Sequence, residues 1–333
     1  MKKRVLQGMR PTGRLHLGNY LGTAKGMVAL QEDPEYETFY MVADLHGMTT
    51  PFDPKKIGIE AREVIIDYLS VGLDPEKSAL FLQSDLADLH VQLAYYFSTV
   101  VTIARMQHLP TFKEKVKQHP ENVTMALLNY PILMASDILI YKASVVPVGI
   151  DQEPHMEVTR EIAKKMNSLY DLDFPEPKSL DTKGRYIPSL TGEGKMSKSV
   201  QGSFINLTDD SETIKERLSK VPTDSGKGEK IPEEGGVFSL LTLVELFQGP
   251  EKRKEYENGY QGTGIRYQEL KNELAETIFK ELEPIQKKRL ELEKDKSYIE
   301  KVLKEGAEKA RAVAAATVAE VREKMGLLQK EKI

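Results

Sequence analysis

The sequence predicts an α/β fold with a doubly wound parallel sheet, followed by an all-helical part. Four short, largely apolar runs are typical of strands: residues 3–7, 38–44, 78–83 and 144–149. Between them, apolar residues recur at three- and four-residue spacing, which is typical of helices. This alternation of strand and helix favours a parallel sheet with right-handed crossovers. Beyond residue 208 the pattern is helical, which predicts a second, smaller domain.

Composition limits the class of protein. The 333 residues are 40% apolar and 29% charged, which suffices for one large domain and a smaller one. The net charge of −4 argues against a broadly basic nucleic-acid binder but leaves room for a local RNA-binding patch. The chain lacks cysteine, an apolar leader and any membrane-spanning run, so we expect a cytoplasmic protein without disulfides, thiolate-held metals or membrane contact.

Residues 8–19 form the first candidate binding segment, a glycine-rich turn between a strand and a helix. Glycines let backbone N–H groups approach a ligand, and a helix start adds free N–H groups and a positive dipole end. His16 and Asn19 can both donate hydrogen bonds to phosphate or ribose oxygens. The segment favours a nucleotide site, although an ordinary turn with His16 on the surface fits the same residues.

Polar residues also lie at the carboxyl end of the second predicted strand. Asp44 and His46 lie where ligands bind in open parallel sheets, beyond the carboxyl end of a strand. The alternative, that they only cap the next turn, stays open. Helical patterns follow over residues 54–72 and 86–106.

A cluster of lysines occupies residues 110–117. Such a run is typical of a solvated face. A mobile loop that places Lys113 or Lys115 near phosphate is the functional alternative.

The apolar segment at residues 122–141 contains a carboxylate. Asp137 lies among core-like residues, where an unpaired charge is costly. It is either a salt-bridged or capping residue, or an acceptor in a binding site with Tyr130 and Met134 as nearby walls. Pro131 is expected to bend or restart the helix.

The strand at residues 144–149 is again followed by a glycine and polar groups. Gly149, Asp151 and Gln152 lie at its carboxyl end. His155 and Glu157 follow on a helix, but their spacing matches no zinc signature, so we favour a structural role.

The most specific segment lies at residues 195–199, after the glycines at 192 and 194. It reads Lys195-Met196-Ser197-Lys198-Ser199. Lysines three apart with hydroxyl donors beside them suit a polyphosphate whose charge increases as a bond breaks. Two lysines in a loop are commonly only solvated, but this pentapeptide is not commonplace.

The last third of the sequence is predicted to be helical around one loop. A capped helix starts near residue 210, and a loop rich in Gly, Lys and Glu covers residues 223–236. Further helices are predicted over residues 238–247 and 264–283, and beyond Pro284 to residue 325.

These segments together resemble the class I aminoacyl-tRNA synthetases, and most closely the bacterial-type tryptophanyl-tRNA synthetase family. The first and last segments mark class I in general, whereas those around Asp137 and Val146 favour tryptophan over tyrosine. The residues that carry the resemblance are 11–19, 44–46, 130–139, 146–152 and 195–199.

The resemblance implies a two-step ligase reaction. The carboxylate of L-tryptophan attacks the α-phosphate of ATP, with Mg²⁺, and the tryptophanyl group then passes to the 3′ end of tRNA(Trp). It also implies a Rossmann-type catalytic domain at residues 1–205 and a helical anticodon-binding domain at residues 206–333. A helical insertion at about residues 86–142 would form the interface of a homodimer.

The resemblance further implies the residues that bind each substrate. Lys195 and Lys198 would hold the departing pyrophosphate, with His16 and Asn19 beside them as catalytic residues. The residues implied for tryptophan are Asp137, as acceptor of the indole N–H, with Tyr130, Met134, Gln152 and His46. The residues implied for ATP are Arg10, Pro11, Thr12, Gly18, Asn19, Gly149, Ile150, Asp151, Ile187, Lys195, Met196, Ser197, Lys198 and Ser199.

The sequence departs from the family pattern at two positions. Asn19 stands where the first signature commonly ends in His, a change that tryptophan enzymes tolerate. Arg10 stands where many relatives carry Gln, so it either reaches phosphate or shapes the amino-acid pocket. Three rival functions are a tyrosine-specific enzyme, another kind of nucleotidyltransferase and a non-catalytic RNA-binding paralogue.

Overall fold

One five-stranded parallel sheet organises the structure, a computed structural model that describes residues 2–11, 13–180, 187–198 and 200–327. Thr12 and Ser199, both expected to contact ATP, lie outside the described residues. The strands run in the order β3-β2-β1-β4-β5. Their bounds are β1 (Lys3–Met9), β2 (Tyr36–Val42), β3 (Ser78–Leu82), β4 (Val145–Pro147) and β5 (Lys178–Leu180).

Helices make up most of the remaining described chain, which confirms the predicted α/β class with a helical C-terminal part. None of these helices is long and apolar enough to cross a lipid bilayer. Their bounds are α1 (Leu17–Asn19), α2 (Lys25–Glu32), α3 (Asp44–Gly47), α4 (Ile57–Ser70), α5 (Ala87–Ser98), α6 (Ile103–Gln107), α7 (Pro110–Gln118), α8 (Met125–Leu139), α9 (Glu153–Tyr170), α10 (Ser211–Ser219), α11 (Gly235–Gln248), α12 (Pro250–Gln261), α13 (Tyr267–Leu292) and α14 (Lys296–Lys324).

The sheet is doubly wound, with its switch point between β1 and β4. From β1 the chain adds β2 and β3 on one side and then returns to add β4 and β5 on the other. All four neighbouring pairs are parallel, so the carboxyl ends of the strands share one edge. In such sheets ligands bind outside those carboxyl ends, at the switch point.

The chain forms two compact units. The first, here the sheet unit, contains Met1–Gly13, Val28–Thr182 and Asp295–Ile333. The second, here the helical unit, contains Arg14–Met27 and Lys183–Lys294. The division at residue 205 into a catalytic and an anticodon-binding domain concerns function and stays a prediction.

The core of the sheet unit lies between the sheet and the helices that flank it. Phe39, Phe81 and Phe97 are buried there together with residues of α8 and α9. Helix α14 packs directly against β3, because a Cβ atom on Gly306 would lie only 1.9 Å from the carbonyl oxygen of Leu80. Only glycine permits this approach of helix backbone to strand.

The helical unit has its own apolar core. The predicted stripe of α13, Leu270, Leu274, Ile278 and Leu282, is buried, and so are Leu240 and other apolar residues of α11. Since apolar burial contributes about 25 cal/mol per Å², this stripe holds the helices of the unit together.

Both prolines that were expected to interrupt helices lie inside continuous ones. Pro131 lies within α8, and α13 continues through Pro284 to end at Leu292. The helix therefore does not restart at Pro131, and the break expected at Pro284 is wrong; the bend that was the alternative at Pro131 stays a prediction. A proline removes one backbone hydrogen bond, and the apolar residues buried on both sides of each proline offset that cost.

Other elements differ from the sequence-based expectation as well. The pattern over residues 86–106 divides into α5 and α6, because Thr102 caps a new helix by accepting a hydrogen bond from Arg105 N–H. The lysine cluster is helix α7 rather than a loop, and Lys113 lies on its exposed side. Strand β5 and helix α12 were not predicted.

Candidate active site

In the helical unit, His16 and Asn19 cap the start of α1 through two reciprocal hydrogen bonds. The Nδ1 atom of His16 accepts from Asn19 N–H at 3.3 Å, and Asn19 Oδ1 accepts from His16 N–H at 3.2 Å. This is a reciprocal capping box. Since Nδ1 accepts, a neutral His16 carries its proton on Nε2.

The first and last signature segments meet within the helical unit. A Cβ atom on Gly18 would lie 2.8 Å from Cε1 of His16 and 3.2 Å from Cβ of Met196. Glycine at position 18 is what lets the His16 ring and the loop at residues 195–198 come together. Two segments that are far apart in the sequence therefore form one surface.

The lysine loop is held by hydrogen bonds that its backbone N–H groups donate. Met196 N–H donates to the carbonyl oxygen of Ile187 at 3.0 Å, and Ser197 N–H donates to Ser203 Oγ at 3.2 Å. Met196 is buried, whereas Lys195 is exposed. The buried methionine fixes the loop and presents the ammonium of Lys195 to solvent.

Burial, together with the smaller effect of the nearby positive charge of Lys198, lowers the pKa of His16 to about 4. His16 is therefore a neutral donor near pH 7. The combination of a neutral imidazole N–H with lysine ammonium groups is suited to an anionic ligand.

In the sheet unit, polar side chains follow the carboxyl ends of four strands. Arg10 follows β1, His46 follows β2, Gln83 follows β3 and Gln152 follows β4. Arg10 is exposed. The switch-point edge of the sheet therefore carries a group of polar residues where α/β proteins bind ligands.

Asp137 is the centre of a buried polar network. Its Oδ1 accepts from Gln83 Nε2 at 2.8 Å and from His90 Nδ1 at 2.6 Å, and its Oδ2 lies 2.8 Å from His46 Nε2. His90 Nε2 lies in turn 2.8 Å from the hydroxyl of Tyr141. Within the protein, Asp137 is therefore paired with histidine side chains, as the salt-bridged alternative predicted.

Hydrogen bonds keep Asp137 ionised. Burial on its own raises the pKa of a carboxyl group, but the bonds from His46 and His90 outweigh it and hold the pKa of Asp137 at about 2. The sheet unit therefore contains a buried negative charge. Removal of one of its hydrogen-bond partners would destabilise the fold, because the charge would then be buried without compensation.

Tyr130 and Gln152 lie in a second polar cluster of the sheet unit. The hydroxyl of Tyr130 lies 2.7 Å from His155 Nε2, and Gln152 Oε1 lies 3.1 Å from His155 Nδ1. Tyr130 also contacts the His46 ring edge-on, at 6.3 Å between ring centroids. Tyr130 therefore touches side chains of both clusters, through His46 and His155.

The predicted site residues fall into two groups by unit. The helical unit holds His16, Gly18, Asn19, Ile187, Lys195, Met196, Ser197 and Lys198; the sheet unit holds Arg10, Pro11, His46, Tyr130, Met134, Asp137, Gly149, Ile150, Asp151 and Gln152. Ile150 is the most exposed large apolar side chain of the described chain, at 93%. Among the described residues, no group of three His, Asp or Glu side chains is arranged to hold a metal ion.

Sequence reasoning missed His90 and Gln83. A signal for His90 was present, because it falls at helical spacing between Leu86, Leu93 and Phe97, an apolar face on which a lone polar residue needs a partner. Gln83 gave the same signal as Asp44 and His46, a polar residue at the carboxyl end of a predicted strand, but this signal was not followed there.

A parallel sheet in the 3-2-1-4-5 order, with a glycine-rich first turn and a lysine loop that meets it, is the arrangement expected of a class I aminoacyl-tRNA synthetase. Residues 1–283 match the family described as tRNA synthetases class I (W and Y), and the chain belongs to that family.

Individual relatives point to tryptophan. The chain is 38% identical over 328 residues to a tryptophan–tRNA ligase of Porphyromonas gingivalis, covering 97% of this chain and 98% of the relative. It is 40% identical over 335 residues to one of Caldanaerobacter subterraneus, covering 99% and 100%. The crystal structure of Campylobacter jejuni tryptophanyl-tRNA synthetase with ADP and tryptophan superposes with a TM-score of 0.85 at 32% identity, covering 97% and 100%.

Proposed function

We propose that the chain is a tryptophan–tRNA ligase. It activates L-tryptophan with ATP to tryptophanyl-adenylate and pyrophosphate, and then transfers tryptophan to the 3′ end of tRNA(Trp). Relatives of that name match it over nearly their full length. The contact that carries the proposal is the approach of Gly18 to Met196, which joins the two signature segments in one surface.

The first step requires charge stabilisation rather than a general base. The tryptophan carboxylate is already ionised and attacks the α-phosphate directly. Lys195 and Lys198 stabilise the charge that develops on the departing pyrophosphate, and the Nε2–H of neutral His16 donates to a phosphate oxygen. Asn19 supports His16 through the capping box. Catalysis is therefore positioning combined with electrostatic stabilisation.

Further contacts to the nucleotide are proposed by position. In the helical unit Ile187 borders the adenosine, and Met196 and Ser197 line the loop beside the lysines. In the sheet unit Arg10 contacts ATP. The residues proposed to join Arg10 there are Pro11, Gly149, Ile150 and Asp151.

Asp137 is proposed to accept the indole N–H of tryptophan. Its Oδ1 already accepts two hydrogen bonds, whereas Oδ2 accepts one, from His46. A carboxylate oxygen has room for two, so Oδ2 retains one acceptor position. Tyr130, Met134 and His46 form walls of the same pocket, and Gln152 contributes a polar group.

Mg²⁺ is proposed to enter with the phosphates of ATP. The lysine loop offers ammonium groups and no carboxylate, and Mg²⁺ is commonly bound through substrate phosphates with few protein ligands. Bound there, the ion would supply further positive charge to the polyphosphate.

A homodimer is proposed through the helices that follow β3. Val91, Tyr95, Ile103 and Met125 are large apolar side chains with exposed fractions of 52%, 72%, 65% and 65%. Apolar surface of this kind commonly marks a protein interface. The cytoplasm is the proposed location, and anticodon binding is the proposed role of residues 206–333.

Aminoacylation tests the complete proposal. With ATP, Mg²⁺ and labelled tryptophan, the chain is expected to charge tRNA(Trp) and to leave a tyrosine tRNA uncharged with labelled tyrosine. Binding of tRNA without ATP turnover would instead support a non-catalytic RNA-binding protein. Nucleotide transfer without charging would support another nucleotidyltransferase.

A further inference from the structure

His155 joins three elements of the sheet unit at one buried ring. It is 1% exposed, and its Nε2 lies 2.7 Å from the Tyr130 hydroxyl and 2.8 Å from Thr111 Oγ1. Its Nδ1 lies 3.1 Å from Gln152 Oε1. The two hydroxyls also bond each other, at 2.9 Å. The ring therefore contacts two residues of the proposed tryptophan pocket at once.

The hydrogen bonds determine which nitrogen of His155 carries the proton. Gln152 Nε2 donates to Asp151 Oδ2 at 2.7 Å, and a carboxylate oxygen can only accept, so the amide oxygen of Gln152 faces His155. That oxygen accepts, so Nδ1 is the protonated nitrogen. Burial lowers the pKa of His155 to about 4, so the ring is neutral and Nε2 is an acceptor.

The acceptor at Nε2 in turn orients the hydroxyl protons. Tyr130 donates to Thr111 Oγ1, and Thr111 in turn donates to Nε2. The proton of Tyr130 is therefore used within the cluster. The phenol oxygen then has a lone pair left for a donor from outside.

We propose that His155 is a positioning residue that makes Tyr130 an acceptor for the α-ammonium group of the bound amino acid, with Thr111 completing the hydrogen-bonded triangle. The inference rests on the proposed function, because that function places tryptophan beside Tyr130. An ammonium group only donates, so a pocket with oriented acceptors selects it over an analogue without a donor. His155 itself does not touch the substrate.

The test compares tryptophan with indole-3-propanoate, which has the indole and the carboxylate but no ammonium group. His155→Ala is expected to raise the KM for tryptophan in pyrophosphate exchange about 10-fold or more, the scale of a hydrogen bond to a charged group. The inhibition constant of indole-3-propanoate is expected to stay within about 2-fold. His108→Ala, at an exposed histidine, is the matched control and should change neither value.

Two conservative variants separate the two nitrogens. A glutamine side chain can place its amide oxygen near the position of Nε2, whereas asparagine can place its amide nitrogen near Nδ1. His155→Gln should therefore keep the tryptophan KM near that of the unaltered chain, and His155→Asn should behave like His155→Ala. In a Tyr130→Phe background, the further effect of His155→Ala should fall to within about 2-fold.

The outcomes distinguish this inference from the function on which it rests. Equal shifts for tryptophan and indole-3-propanoate, or an unchanged tryptophan KM in His155→Ala, would overturn the role of His155 alone. A chain that shows no tryptophan-dependent exchange without any substitution would overturn the proposed function, and this inference with it.

Discussion

The Nδ1 atom of His90 lies 2.6 Å from Oδ1 of Asp137, with both side chains buried. Tyr141 occupies the other nitrogen of His90, at 2.8 Å. An ionised carboxylate can only accept, so His90 donates from Nδ1 to Asp137. This pair fixes one carboxylate oxygen and leaves the other, Oδ2, for His46 and the proposed indole N–H.

Removal of Asp137 is predicted to abolish recognition of the indole nitrogen. A site built around a substrate N–H rejects analogues that lack it by about 10⁴-fold or more. In Asp137→Ala, the ratio of kcat/KM for tryptophan to that for its benzothiophene analogue should fall towards one. Asp53→Ala, at an exposed aspartate of the same unit, is the control and should leave the ratio unchanged. An unchanged ratio in Asp137→Ala would leave Asp137 with a structural role only.

A methyl group at position 18 is predicted to separate the two signature segments. Gly18→Ala would place Cβ 2.8 Å from the His16 ring and 3.2 Å from Met196, so one of them must move. Misplacement of a catalytic group by about 1 Å costs about 10²-fold, and kcat/KM for ATP in pyrophosphate exchange should fall on that scale. Gly22→Ala is the matched control, because no atom lies within 4 Å of the added Cβ. Equal activity in the two variants would contradict the contact.

Loss of Lys195 is predicted to slow adenylate formation. Removal of one donor to the transition state typically costs about 10²- to 10³-fold in kcat. Lys195→Ala should show this loss in single-turnover formation of the adenylate, while tryptophan binding changes little. Lys230→Ala, at an exposed lysine of the same unit, should react at the normal rate. A normal rate in Lys195→Ala would show that the loop lysine is merely solvated.

Stability is predicted to fall on acidification through the histidine range. The pKa values of His16 and His155 are lowered from 6.5 to about 4 in the folded chain, chiefly by burial. The unfolded chain therefore binds more protons between pH 6.5 and 4, and the free energy of unfolding decreases as pH falls through that window. Each histidine contributes a slope of at most about 1.4 kcal/mol per pH unit.

Urea unfolding of the unaltered chain and of His155→Gln between pH 6.5 and 5 measures this effect. Glutamine does not titrate, so the slope attributable to His155 should disappear and that of His16 should remain. A slope unaffected by the substitution would mean that His155 is not buried as a neutral ring.

The sequence was sufficient to predict the class of fold and to single out the two segments that meet at Gly18 and Met196. The alternation of apolar runs set the order of strands and helices, and the glycines at residues 8–18 and 192–194 marked the turns. The break expected at Pro284 was wrong because local preference was followed, whereas Lys113 and Lys117 are exposed, as the favoured solvated face of the lysine cluster requires. At Pro131 and Pro284, the burial of residues on both sides of the proline decides the outcome, and that depends on tertiary packing.

Partners of buried polar groups were beyond a reading of the sequence alone. Asp137 was recognised as a costly charge in an apolar segment, but its partners lie 91, 54 and 47 positions away, at His46, Gln83 and His90. The same holds for Thr111 and Tyr130 around His155. Such pairs exist only once helices and strand ends are packed together, and no local pattern specifies them.

The central claim, that the chain activates tryptophan with ATP, is tested most directly by amino-acid-dependent exchange of pyrophosphate into ATP with each of the twenty amino acids. The account predicts rapid exchange with tryptophan and only background exchange with tyrosine and the rest. Exchange that depends on tyrosine, or no exchange with any amino acid, would contradict it.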